Sequence, residues 1–178
     1  MNSKEEKWIN TGYKKFAKDG PKGLKIETLA KSVNSSRSSF YHYFADVEIF
    51  TSKLLEHHIK RSELMCKAAL ECKNLDPDLM DAIVYYKTDI LFNRQLRVNN
   101  QNPLFKSCIL KSHKPLENAF LDIWTKELNL DSNPAMAKML LKIVVDNFYM
   151  RISEENLNYN WLKQYLLEIM EMTKEFDT

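Results

Sequence analysis

Apolar positions recur with a helical period almost from the start of the chain. Trp8, Ile9, Gly12, Tyr13, Phe16 and Ala17 fall on an i, i+4 stripe that stops at Asp19-Gly20-Pro21, predicting a first helix with a firm end. A shorter pattern, Ile26, Leu29, Ala30 and Val33, follows the Gly23 break and is interrupted by Asn34-Ser35-Ser36. Asparagine tolerates the left-handed conformation of a tight helix-to-helix turn, and serine caps the helix that follows. A third short helix is therefore expected from about Ser36, carrying Arg37, Phe40 and Tyr41. Asp46 then caps a long fourth helix over 47–73.

Farther along, Asp76-Pro77-Asp78 places an N-cap before a proline suited to the first helical position. This predicts a fifth helix with Leu79, Ile83, Val84, Ile90 and Leu91 on its inner face. The asparagine-rich stretch 97–103 reads as a loop, 105–110 as a short helix and 114–129 as a seventh, repeating Leu116, Ala119, Phe120, Ile123 and Trp124. Asn133-Pro134 opens an eighth over 134–152, with Met136, Leu140, Ile143, Val144 and Phe148. Asn156 precedes a ninth over 157–174, with Leu157, Trp161, Leu162, Tyr165, Leu166 and Ile169. The expectation is an all-α chain of about nine helices, without internal repeats. An N-terminal three-helix domain over 1–47 precedes a larger helical bundle over 48–178.

Composition supports that picture. Three glycines and five prolines in 178 residues are too few to punctuate many hairpins, and 44% hydrophobic with 28% charged residues is the balance of an ordinary globular chain. The net charge of +2 says little, but its distribution says more. Residues 1–60 hold 11 basic against 7 acidic side chains, and residues 61–178 hold 15 against 17. The basic end is the one suited to meet a polyanion. Three cysteines without a C-x-x-C pair, and a polar, charged N-terminus, point to a reducing cytoplasm. No apolar run approaches the roughly 18 residues of a membrane span, so no membrane partner is expected.

The segment 26–50, IETLAKSVNSSRSSFYHYFADVEIF, carries the chemistry. Two short helices joined by a turn of three or four residues form a helix-turn-helix, whose second helix enters the DNA major groove. Ile26, Leu29, Ala30, Val33, Phe40 and Phe44 are spaced to pack the pair, with Ala30 small enough for a close crossing. Ser35, Ser36, Arg37, Ser38 and Ser39 crowd the start of the second helix, where free N–H groups and the positive dipole end favour phosphate. Short hydroxyls and one arginine there reach base edges without blocking the groove.

This segment resembles the N-terminal domain of the TetR (tetracycline-repressor-like) family. The matching features are Phe16 and Gly20 closing the first helix, Leu29-Ala30 in the second, the run Ser-Arg-Ser-Ser-Phe-Tyr at 36–41, and Phe44 before a helix beginning at Asp46. They cover about residues 8–55; beyond them the likeness is one of length and helix layout. The resemblance implies that Tyr41 and His42 hold phosphates and that Ser36, Arg37, Ser38 and Ser39 lie at the base-reading turn. Asn34 stands where glycine is frequent, Tyr43 where histidine is frequent, and Val47 where a phosphate-contacting lysine is frequent. Lys25, Thr28 and Lys53 are then expected to supply part of the missing contact.

No G-x-S-x-G, P-loop, dinucleotide-binding glycine pattern or H-E-x-x-H occurs in 61–178, so nothing suggests an enzyme, a cofactor or a metal site. His57 and His58 are neighbours pointing about 100° apart on a helix, and a surface position is expected for both. The resemblance implies a ligand enclosed among the middle helices. Candidate lining residues are Tyr85, Tyr86, Phe92, Phe105, Cys108, His113, Phe120, Trp124 and Phe148, each of which also suits ordinary core. The last two helices are apolar over more than one stripe, which either a homodimeric four-helix bundle or packing within one chain satisfies. Trp161, Tyr165 and Ile169 are the candidates for that seam. The expected function is a ligand-responsive repressor that binds a double-stranded DNA operator and is released by a small-molecule effector. The alternatives are a ligand-independent DNA-binding factor and a helical protein-binding adaptor.

Overall fold

The computed structural model describes residues 3–174, without the side chains of residues 113, 114, 173 and 174. Among the described residues there are nine α-helices and no strand. They are α1 (Ser3–Asp19), α2 (Ile26–Ser32), α3 (Arg37–Tyr43), α4 (Val47–Glu71), α5 (Met80–Tyr85), α6 (Lys87–Val98), α7 (Pro103–Glu127), α8 (Pro134–Arg151) and α9 (Tyr159–Lys174). A 3₁₀ turn, Gly20–Gly23, follows α1, and a π-type turn, Leu75–Leu79, precedes α5. None of the helices is long and apolar enough to cross a membrane.

The chain packs into two compact units. One comprises the chain up to Ser62 together with Thr88–Ser112; the other comprises Glu63–Lys87 and the chain from His113 onward. The segment 1–47 lies wholly in the first unit, whereas 48–178 is divided between both.

In the first unit, the stripe expected on α1 is buried: Trp8, Ile9, Gly12, Tyr13, Phe16 and Ala17 all face inward. Gly20 ends α1 with φ +66°, and Gln95 Nε2 donates to the Lys18 carbonyl at 3.1 Å. Glycine meets no steric penalty in that left-handed region. Phe40 roots α3 in an aromatic cluster, with its ring 5.4 Å from Trp8, 5.2 Å from Phe44 and 5.2 Å from Phe50. Phe92 of α6 stacks on Tyr13 at 4.3 Å, and Phe105 meets Phe16 edge-on at 5.5 Å.

In the second unit, Trp124, Ala137, Leu141, Val144, Tyr165 and Ile169 form one core cluster from α7, α8 and α9. Its two polar tips are satisfied internally. Trp124 Nε1 donates to the Ala137 carbonyl at 3.1 Å, and the Tyr165 hydroxyl donates to the Val144 carbonyl at 2.7 Å. A second cluster joins Ala69, Leu75, Leu79, Ala119 and Ile123.

Three helix boundaries differ from the sequence expectation, the third being the start of α5 at Met80 rather than just after Asp76. The fifth helix is broken at Tyr86, where ψ swings to 21°, so α5 and α6 are separate and belong to different units. Conversely, the expected sixth and seventh helices are one, because α7 runs unbroken through Pro115. Proline removes a single N–H, and the helix tolerates that loss here without ending. Asp76 is extended (φ −116°, ψ 119°), as a residue preceding a helix should be. Its carboxylate does not cap; it accepts from the Tyr159 hydroxyl and pairs with Lys163 Nζ at 3.2 Å. Asp78 binds the local backbone instead, accepting from the Lys73 and Asn74 N–H groups at 2.9 and 3.2 Å.

Candidate nucleic-acid interface

The connection between α2 and α3 is built by local chemistry. Asn34 adopts φ 53°; its N–H donates to the Lys31 carbonyl at 3.1 Å, and the Ser35 N–H donates to the Ala30 carbonyl at 2.9 Å. These are the two bonds of a Schellman C-cap, with asparagine in the place usually taken by glycine. Ser36 then caps α3, its hydroxyl oxygen accepting from the Ser39 N–H at 3.1 Å. Asp46 starts α4 in the same way, accepting from the Ile49 N–H at 2.7 Å.

Helical spacing sorts the seven residues of α3. At about 100° per residue, Arg37, Ser38, Tyr41 and His42 share one face, and Ser39, Phe40 and Tyr43 the other. The first four are exposed; Phe40 is fully buried and Ser39 and Tyr43 are half-buried. Tyr41 is 51% exposed, with its ring edge-on to Phe40 at 5.6 Å. Ser36, Lys25, Thr28 and Lys53 are also exposed, and Lys53 pairs with Glu56 at 3.5 Å. All nine residues expected at the interface therefore belong to the first unit, and eight of them lie on or beside the two short helices, Lys53 being on α4.

The sequence reading passed over Glu27. Arg37 Nη1 donates to Glu27 Oε1 at 3.0 Å, joining the first residue of α3 to the second of α2. Both side chains are mainly in solvent, at 61% and 70% exposure. Glu27 is the single carboxylate between residues 20 and 45, a stretch that also holds Lys22, Lys25, Lys31 and Arg37.

Two solved structures share this arrangement of helices. One is assigned as a TetR-family transcriptional regulator from Mesorhizobium loti MAFF303099, with TM-score 0.58, 16% identity, and coverage of 96% of this chain and 95% of the other. Another is a transcriptional regulator (TerR/AcrR family) from Aquifex aeolicus VF5, with TM-score 0.60, 16% identity, and coverage of 97% and 99%. The fold is TetR-like. No family model matches the sequence, and no curated protein does either.

The residues expected to line a ligand pocket in this TetR-like fold are not gathered within either unit. Phe92, Phe105 and Cys108 are buried side chains of the first unit's core. Phe120, Trp124 and Phe148 pack in the second unit. Tyr85 is 78% exposed, with the ring of the half-buried Tyr86 edge-on at 5.0 Å, and the side chain of His113 lies outside the described set. A surface hollow in the second unit is lined by Ala68, Glu71, Cys72, Lys73, Asp78 and Ala82, none of them expected. Of the expected dimer seam, Tyr165 and Ile169 are consumed by the second unit's own core, and Trp161 stacks on Tyr165 at 5.2 Å. The large apolar side chains left exposed on α8 and α9 are Met139, Ile143, Met150, Leu167 and Met172.

The surface position expected for the histidine pair is also overturned. His58 is fully buried and stacked on Phe92 at 4.6 Å, and His57 is half-buried. The Tyr13 hydroxyl lies 2.7 Å from His58 Nδ1 and donates to Asp89 Oδ1 at 2.8 Å. Asp89 also accepts two bonds from Arg61, at 2.9 and 2.8 Å. Because the phenol has one hydrogen, His58 must carry its own on Nδ1, which leaves a bare Nε2 with no protein partner. Burial pushes the His58 pKa down to about 4 and, with Asp89 adding to the effect, raises that of Tyr13 well above its ordinary value. The signal in the sequence was Asp89 itself, a carboxylate beside the apolar run Ile90-Leu91-Phe92.

Proposed function

We propose that this chain is a transcription regulator acting in the cytoplasm as a homodimer, binding a double-stranded DNA operator through residues 1–47. Residues 48–178 would bind a small-molecule effector and form the dimer, with effector binding releasing the operator, so that the protein acts as a repressor. The reading is carried by one observation: α3 is anchored through Phe40 while Arg37, Ser38, Tyr41 and His42 stand on a common exposed face. An outward face of short hydroxyls, one arginine and one tyrosine suits base edges and phosphates. The likeness to two structures named as transcriptional regulators supports it further.

The effector part needs only a modest energy difference. A two-state protein whose ligand prefers the DNA-incompetent form by about 1–3 kcal/mol changes operator affinity roughly 5- to 150-fold.

The decisive experiment is selection of duplexes from genomic and random libraries by the full-length protein, followed by affinity measurement against salt. An enriched sequence, with log K falling steeply and linearly in log salt, is the expected result. Equally weak binding of every duplex at low salt by the wild type and by Arg37→Ala would instead make the chain a helical adaptor without DNA affinity.

A further inference from the structure

Glu27 is an odd residue to find where it stands. A carboxylate on a surface that meets phosphates repels them, and it is the single acidic side chain in the 26 residues from 20 to 45. Folding does not require the contact. An ion pair this exposed adds little stability, because water screens it and two long side chains lose freedom in forming it.

The geometry gives the pair a different use. Glu27 engages Arg37 through Nη1, at 3.0 Å, and among the described residues the rest of the guanidinium makes no further hydrogen bond. An unrestrained arginine at the start of a recognition helix pairs with whichever phosphate is near. Once held by Glu27, it brings that carboxylate's charge beside any phosphate it reaches, so part of the attraction is cancelled. A guanine edge sets up no such repulsion. Its O6 and N7 are neutral acceptors, and the guanidinium's planar fork can serve them while one nitrogen stays on the carboxylate.

We propose that Glu27 sets the sequence selectivity of the helix-turn-helix by positioning Arg37 for a base edge and withholding it from phosphate. The inference rests on the reading of the chain as a DNA-binding regulator. Glu27 thus lowers affinity for DNA in general and raises the ratio between the preferred site and all others.

Four full-length proteins test this: wild type, Glu27→Gln, Arg37→Ala and the double variant. Each is titrated with the duplex that the wild type enriches from a random library and with a scrambled duplex of equal composition, at two or more salt concentrations. Glu27→Gln is expected to bind the scrambled duplex more tightly, with a log–log salt slope steeper by about 0.9, the signature of one more neutralised phosphate. Its selectivity ratio is expected to fall about fivefold, the low end of what one bidentate base contact supplies. In the Arg37→Ala background the same substitution should leave the ratio unchanged, because a purely general charge effect cancels between the two duplexes. A ratio untouched by Glu27→Gln, or reduced equally in both backgrounds, overturns the proposal while leaving the regulator reading standing. If the wild type enriches no duplex, both fall together.

Discussion

The Tyr13 hydroxyl donates to Asp89 Oδ1 at 2.8 Å across 76 residues of sequence. With His58 and Arg61 this contact joins α1, α4 and α6 through polar side chains inside an otherwise aromatic core. Only the Asp89 side of its pair with Arg61 is fully buried; the Arg61 side chain is 34% exposed, so water screens its loss and the cost is about 1–3 kcal/mol. Asp89→Asn is therefore expected to lower unfolding stability by an amount of that order, and Tyr13→Phe by about 1–3 kcal/mol for the unmet Asp89 acceptor and His58 N–H donor. Urea denaturation of both variants at neutral pH measures the difference.

Acid should reveal the same network. His58 is neutral when folded, with its pKa pushed from 6.5 to about 4 by burial, so the protonated form prefers the unfolded chain. Its contribution to stability is present above about 6.5, is lost progressively as pH falls, and levels off below about 4. A shift of that size is worth about 3 kcal/mol. His57 is displaced in the same direction by burial and by Arg61, and adds to the slope. Urea midpoints between pH 7 and pH 5 should fall for the wild type and fall less for His58→Leu. Parallel slopes would refute the assignment.

Gly12 owes its place to Phe50. A Cβ added there would lie 2.3 Å from Phe50 Cζ and 2.7 Å from Cε1, closer than any real contact. Gly12→Ala is expected to destabilise the protein by about 1–3 kcal/mol despite alanine's higher helix propensity, because the ring that must move also packs on Phe40 and Phe44. Thermal unfolding checks the sign.

On DNA two neighbours on the exposed face of α3 should respond differently. Tyr41→Ala is expected to weaken selected and scrambled duplexes by the same factor, as loss of a phosphate contact does. Arg37→Ala is expected to cost about 1–3 kcal/mol on the selected duplex and less on the scrambled one. Fluorescence anisotropy with both duplexes distinguishes them.

For the proposed dimer, Met139, Ile143 and Met150 recur along the exposed side of α8 at spacings of four and seven. Ile143→Lys is expected to shift sedimentation from two chains to one without altering the helical circular dichroism. Trp161, Tyr165 and Ile169 are expected to act on folding instead, because their rings and branches already pack within one chain.

Helix starts were legible in the sequence at Ser36, Asp46 and Asn133, but not at Asp76, whose carboxylate is taken by Tyr159 and Lys163. Ser36, Asp46 and Asn133 each accept a backbone N–H as their side-chain chemistry dictates, and Asn34 takes the left-handed conformation expected of it. The break at Tyr86 was illegible because no glycine or proline marks it and the apolar stripe continues through it. The gap expected between 110 and 114 is helical instead, and Pro115 just beyond it does not end α7, since a missing N–H is a tolerable loss inside a helix of 25 residues.

The candidate interface was readable for a related reason: α3 is short, and its buried and exposed faces follow from Phe40 alone. Pocket and seam residues have no signature of their own, because an aromatic on an amphipathic helix has the same sequence pattern whether it faces a cavity, a partner or its own core. His58 shows this most plainly. Its burial depends on Tyr13 and Asp89, neither of which is near it in the chain.

The division of the chain also limits how freely the helix-turn-helix could be transplanted. A fragment cut after residue 62 retains Tyr13, His58 and Arg61 but discards the carboxylate they surround, together with Phe92 and Phe105 from the same core. A chimera borrowing this reading head would inherit Arg61 without its Asp89 carboxylate, and an open aromatic wall, unless residues 88–112 travelled with it.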